Sequence, residues 1–155
     1  MPFNIPLLTI PLYYTLAVYP HAHASAIAMR AFNGQLDNRN PKAAGLAEKL
    51  KQRLSAGDYA AWERGQSCHR NHLENMPLFI AAIFAGLLAQ SQGGEDSVGL
   101  TAFAVGWMAI RVAYTANYLV TETQGWSYVR SALYFAGSLW AFWVLGRSAW
   151  VVGSS

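Results

Sequence analysis

The run Ser67-Cys68-His69-Arg70-Asn71-His72-Leu73-Glu74-Asn75 leads directly into an apolar stretch that begins at Met76. Arg70 and Glu74 are four apart and Asn71 and Glu74 three apart, so on a helix the three share one face. A carboxylate so placed can hold a guanidinium in position or accept an amine from a ligand. Farther along, Arg111, Tyr114 and Tyr118 recur at i, i+3 and i+7, and Arg130, Ser131 and Tyr134 at i, i+1 and i+4. Three guanidiniums with one carboxylate suit a ligand that carries several carboxylates and an amine, held by charge-assisted and bidentate hydrogen bonds. The phenols and the Ser131 hydroxyl can hydrogen-bond a sulfur or an oxyanion.

The elements that must position these groups are apolar and long. The 155-residue chain is 54% hydrophobic and only 12% charged, about half the charge of an ordinary soluble domain. Most charges lie between Arg30 and Glu74. A bilayer core of roughly 30 Å needs about 20 predominantly apolar helical residues. Four stretches are read as spans: about Ile5 to Ala31, MPLFIAAIFAGLLA from Met76 entered through a helix starting near Asp58, about Val98 to Val120, and about Trp126 to Val152. Pro20 is the expected kink of the first. Trp126 and Trp150 suit the two interfacial belts. The expectation is an all-α integral membrane four-helix bundle in one domain, residues 1–155. AAGLAEKLKQRLSAGDY reads as a solvated amphipathic helix or ordered loop. Ala81, Ala82, Ala85 and Gly86 offer a small-residue seam for packing between copies.

Orientation follows from the loops. Arg39, Lys42, Lys49, Lys51, Arg53 and Arg64 follow the first span, whereas SQGGEDS between the second and third holds acids and no base. The first loop is therefore expected on the cytoplasmic side, with VTETQG. The second and fourth spans then start, and the third ends, at that side. Their polar groups converge at similar depth. Charges in a span cost about 2.5 to 3.5 kcal/mol each on insertion scales and normally face protein or water. Single arginines at helix ends snorkel and interfacial tyrosines are ordinary, but a glutamate has no such reason to sit among lipids.

Other functions fit less well. The net charge of +3 is neither clustered in a tract nor interleaved with stacking aromatics, which argues against nucleic acid. Cys68 stands alone, so no intrachain disulfide forms. The N-terminal stretch lacks a basic leading region and a cleavage site, and reads as a retained span. His21, His23, His69 and His72 lack the spacing and neighbouring carboxylates of a metal site.

Arg64, His69 to Phe79, Arg111-Val112-Ala113-Tyr114 with Tyr118, and Arg130-Ser131 with Tyr134 together resemble the MAPEG family, the membrane-associated proteins of eicosanoid and glutathione metabolism. The resemblance covers essentially the whole chain. It implies a homotrimer of four-helix bundles, in the endoplasmic reticulum if the cell is eukaryotic, with glutathione bound between subunits at the cytoplasmic side. It places Arg70, Asn71, Glu74, Arg111, Tyr114, Tyr118, Arg130 and Tyr134 on glutathione-contacting or pocket positions, and puts thiol activation at Arg130 and Ser131. A thiol with a pKa of about 8.5 is shifted toward neutrality by a nearby cation or hydroxyl donor. The activated sulfur would attack a lipophilic electrophile or a peroxide. Arg130 would alternatively polarise a substrate oxygen. Ser67 stands where glutathione-binding members carry an arginine, Tyr114 where a prostaglandin-synthesising member has histidine, and Asp37-Asn38-Arg39-Asn40-Pro41 is closer to uncharacterised fungal and bacterial members. Three functions follow: a glutathione-dependent transferase or peroxidase, a glutathione-independent isomerase or cyclase of a hydrophobic metabolite, and a non-catalytic lipid-binding scaffold.

Overall fold

The computed structural model describes residues 3–36, 39, 45–94 and 97–154. The chain folds as α1 (Ile5–Ala31), α2 (Leu46–Arg53), α3 (Ala56–Gly93), α4 (Leu100–Val120) and α5 (Gln124–Gly153). Among the described residues there is no strand. Asp37, Asn38, Asn40, Pro41 and Lys42 of the first loop, and Glu95 and Asp96 of the second, lie outside the described residues.

Capping explains where the helices begin. The Asn4 side chain accepts from the Leu7 N–H at 3.0 Å, and a proline in the first turn of α1 removes only a donor with no intrahelical partner. Ser55 opens α3 by accepting from the Asp58 N–H at 3.1 Å. α1 passes through Pro11 and Pro20 without a break, and α3 through Pro77. Neighbouring helices supply contacts that a lone helix would lack at such points. α2 is the expected amphipathic segment, with Leu50 buried and Lys49, Lys51 and Arg53 exposed.

Cross-helix pairs fix the register. Tyr13 pairs with His72, Ala17 with His69 and His21 with Gln66, so α1 and α3 are antiparallel. Arg64 with Leu119, His72 with Thr115 and Phe79 with Phe103 make α3 and α4 antiparallel. Arg130 with Tyr118 and Trp140 with Phe103 do the same for α5 and α4. The core is aromatic: Trp107 stacks on Phe79 at 5.0 Å, and Tyr13 meets Phe79 edge-on at 5.2 Å. Close approach is needed where α1 crosses α3, because a Cβ on Gly65 would sit 2.9 Å from both the Pro20 carbonyl and the Ala24 methyl.

Of the four expected spans, two helices, α3 and α5, qualify on length and composition among the described residues. α1 and α4 are long enough at 27 and 21 residues. Their apolar character is diluted by three prolines, His21 and His23 in α1, and by Arg111 and Asn117 in α4. The small-residue seam is partly internal: Ala82 and Gly86 are buried, and a Cβ on Gly86 would come 2.5 Å from Leu100. α3, at 38 residues, is about 57 Å long at 1.5 Å per residue, so part of it extends beyond a hydrocarbon core of roughly 30 Å.

Candidate functional site

The antiparallel register gathers the N-terminal half of α3, the last turns of α4 and the first turns of α5 at one end of the bundle. A cavity of about 530 Å³ opens there. Its walls carry Glu63, Arg64 and Ser67 from α3, Tyr118 from α4, Thr121, Glu122 and Thr123 from the connection, and Gln124, Ser127 and Arg130 from α5. Arg64 ties the site together: its Nε donates to the Leu119 carbonyl at 3.2 Å and its Nη2 lies 3.6 Å from Glu122 Oε1. The connection is braced again by Thr121, whose Oγ1 donates to the Asn117 carbonyl at 2.5 Å.

Arg130 and Tyr118 meet across the α4–α5 seam, with the guanidinium carbon 4.2 Å from the ring centroid. Tyr118 in turn contacts Tyr114 edge-on at 5.5 Å. Behind them Arg111 is buried among the rings of Trp107, Tyr114, Tyr13 and Tyr134, at 4.6, 5.4, 5.9 and 5.9 Å. Only 1% of Arg111 is exposed, and among the described residues its three nitrogens have no hydrogen-bond partner. The ring quadrupoles are its solvation.

Of the sequence-derived residues, Arg111, Tyr114, Tyr118, Arg130 and Tyr134 therefore come together along α4 and α5. Arg70, Asn71 and Glu74 do not join them within one chain. Arg70 and Glu74 are exposed on α3, and they make no ion pair with each other among the described residues. Asn71 is half-buried and accepts, through its carbonyl at 2.9 Å and its Oδ1 at 3.4 Å, from the Asn75 amide. Ser131 is exposed, and its hydroxyl donates to the Ser127 carbonyl at 3.3 Å.

Sequence reasoning missed Glu63, on the polar half of α3, as lining, and also Glu122 and the polar α4–α5 connection, because hydrophilic loop residues carry no periodic signal. It also passed over His72 as a core residue. Thr115 Oγ1 donates to the Arg111 carbonyl at 2.8 Å, so it accepts from His72 Nε2–H at 2.8 Å. Nδ1 then faces the Tyr13 hydroxyl at 3.3 Å. His21 and His69 approach to 5.0 Å between ring centroids, and no group of three or more His, Cys, Asp or Glu gathers for a metal among the described residues.

A comparison with protein families decides what this architecture belongs to. The MAPEG family model matches residues 6–150, nearly the whole chain. The chain belongs to the MAPEG family. Neither the curated proteins nor the solved structures yielded a match. The protein is thus a membrane protein of the type found in glutathione and eicosanoid metabolism. MAPEG proteins include transferases, synthases and isomerases, commonly use glutathione and generally form trimers. In this MAPEG chain, exposed aromatics such as Trp126, Phe135, Phe142, Trp143 and Trp150 run the length of α5, where lipid or a neighbouring copy would cover them.

Proposed function

We propose that the protein is a glutathione-dependent transferase or peroxidase acting on a lipophilic electrophile. The observation that carries this reading is the seating of Arg130 over Tyr118 at the wall of a cavity that also holds Arg64, Glu63 and Glu122. The residues present fit glutathione: two guanidiniums answer its carboxylates, and two carboxylates answer its amine. At about 530 Å³ the cavity is in the range of small-molecule sites. Glutathione supplies the nucleophilic thiol. Arg130 stabilises negative charge at the sulfur, Ser131 offers a hydroxyl one residue on, Tyr118 orients Arg130, and Tyr134 packs against Arg111. Arg70, Asn71 and Glu74, exposed or half-buried on α3, are available to complete the site from a neighbouring copy in a homotrimer. In this reading four helices cross the membrane, the first loop and the cavity face the cytoplasm, and a eukaryotic host would hold the protein in its endoplasmic reticulum.

One observation favours a second reading. Ser67 lines the cavity where a third guanidinium would strengthen glutathione binding. A glutathione-independent isomerase or cyclase would use the same arginines and phenols to polarise an oxygen of a hydrophobic metabolite. A non-catalytic scaffold would leave the Arg130–Tyr118 pair without a task.

Calorimetry of glutathione binding to the detergent-purified protein separates these, with the absorbance of the deprotonated thiol followed in parallel. Binding that Arg130→Ala and Arg70→Ala weaken, with loss of the absorbance in Arg130→Ala, supports the first reading. No binding at millimolar glutathione transfers the proposal to the isomerase or cyclase.

A further inference from the structure

A second cavity, of about 220 Å³, lies where α1, α2 and α3 meet, and it shares no lining residue with the cavity at Arg130. Its walls carry Arg30, Arg53, Ser55 and Asp58, with Ile27 and Leu54 on the apolar side. Each polar group has a defined anchor. Arg30 stands in the last turn of α1. The Arg53 guanidinium rests 4.5 Å from the centre of the Phe32 ring, which holds its plane and leaves its N–H edge for a ligand. The Asp58 carboxylate is fixed by the Ser55 hydroxyl, which donates to Oδ2 at 2.7 Å. Neither arginine pairs with Asp58 among the described residues.

Two guanidiniums and one carboxylate, unpaired with one another, match a ligand with a phosphate at one end and a cationic donor at the other. The volume falls below the roughly 300 Å³ at which drug-sized sites begin, enough for a headgroup and too little for acyl chains. In the four-span reading proposed above, on which this inference rests, the end of α1 lies at headgroup depth, and Tyr19 and Met29 are exposed on α1. We propose that this corner binds the phosphoethanolamine headgroup of a membrane phospholipid, its phosphodiester on Arg30 and Arg53 and its ammonium on Asp58. A choline headgroup has no N–H to give Asp58, and a glycerol headgroup has no cation.

The test is native mass spectrometry of delipidated protein given phosphatidylethanolamine, phosphatidylglycerol or phosphatidylcholine of matched chains, with soluble phosphoethanolamine as competitor. Wild type is expected to retain phosphatidylethanolamine best. Arg30→Ala and Arg53→Ala should each weaken it about five-fold, from about 1 kcal/mol per surface arginine. Asp58→Asn should reverse the order of phosphatidylethanolamine and phosphatidylglycerol. That ratio is read within one folded population, so it stands even if the arginine variants fold poorly. Equal retention of the three lipids by wild type, an unchanged order in Asp58→Asn, or displacement of lipid by an equal concentration of soluble phosphoethanolamine would overturn the proposal.

Discussion

Arg130 holds its guanidinium carbon 4.2 Å from the centre of the Tyr118 ring, joining the first turns of α5 to the last turns of α4. The contact does two things at once. It restrains a long side chain that would otherwise sample many rotamers, and it leaves the N–H edge of the guanidinium free to meet an anion.

Tyr118→Leu should therefore weaken glutathione binding and thiol deprotonation together, by the equivalent of about 1 kcal/mol, or roughly five-fold. Tyr118→Phe keeps the π face and should behave as wild type. Equal losses in both would mean that the phenol hydroxyl matters and the ring face does not.

Arg111 is expected to separate charge from packing. Arg111→Met removes a buried cation while keeping a long apolar stem, and should leave thermal stability in detergent unchanged or higher. Tyr13→Ala strips one wall of the cage and opens a core void, and should cost about 3–5 kcal/mol. A large loss of stability in Arg111→Met would show that the guanidinium has an anionic partner in the assembled protein.

His72→Ala removes the hydrogen bond to Thr115 and a fully buried ring, while the Tyr13 and Thr115 hydroxyls keep their bonds to the His72 and Arg111 carbonyls. A loss of about 1–3 kcal/mol is expected from the lost hydrogen bond and the void left by the ring. His72→Asn, which can still reach one partner, should recover part of it in the same unfolding assay.

The Arg64–Glu122 pair is open to solvent on the acid side, where Glu122 is 75% exposed. Glu122→Gln should change the melting temperature little, since exposed pairs contribute about 0–1 kcal/mol. It should nonetheless strengthen binding of an anion that carries no amine, such as sulfate, because Arg64 keeps its bond to the Leu119 carbonyl and loses its competitor. Titrating salt tests this directly: the advantage over wild type should shrink as ionic strength rises.

Much of this was readable before any coordinates. The helices come from apolar runs and their caps, and the α4 and α5 stripes come together because antiparallel helices put the end of one beside the start of the next. The depth of Arg111 was less legible, since spacing places a residue on a face without saying whether that face meets lipid, water or four aromatic rings. The α3 set shows the same limit from the other side. Arg70 and Glu74 share a helical face, as their spacing requires, but that face turns outward from the single chain. Which face turns inward was decided by Cys68, His72, Asn75 and Phe79, all buried.

The cage around Arg111 also bears on how such a sequence can change over time. A cation solvated by ring faces makes Tyr13, Trp107, Tyr114 and Tyr134 mutually dependent. Losing one ring strands the charge, while losing the charge first makes each ring replaceable by any apolar residue of similar size. The order of substitution therefore matters more than their number, and a lineage that drops the arginine can rebuild this end of its bundle freely, whereas one that keeps it is held to four aromatic positions on three helices.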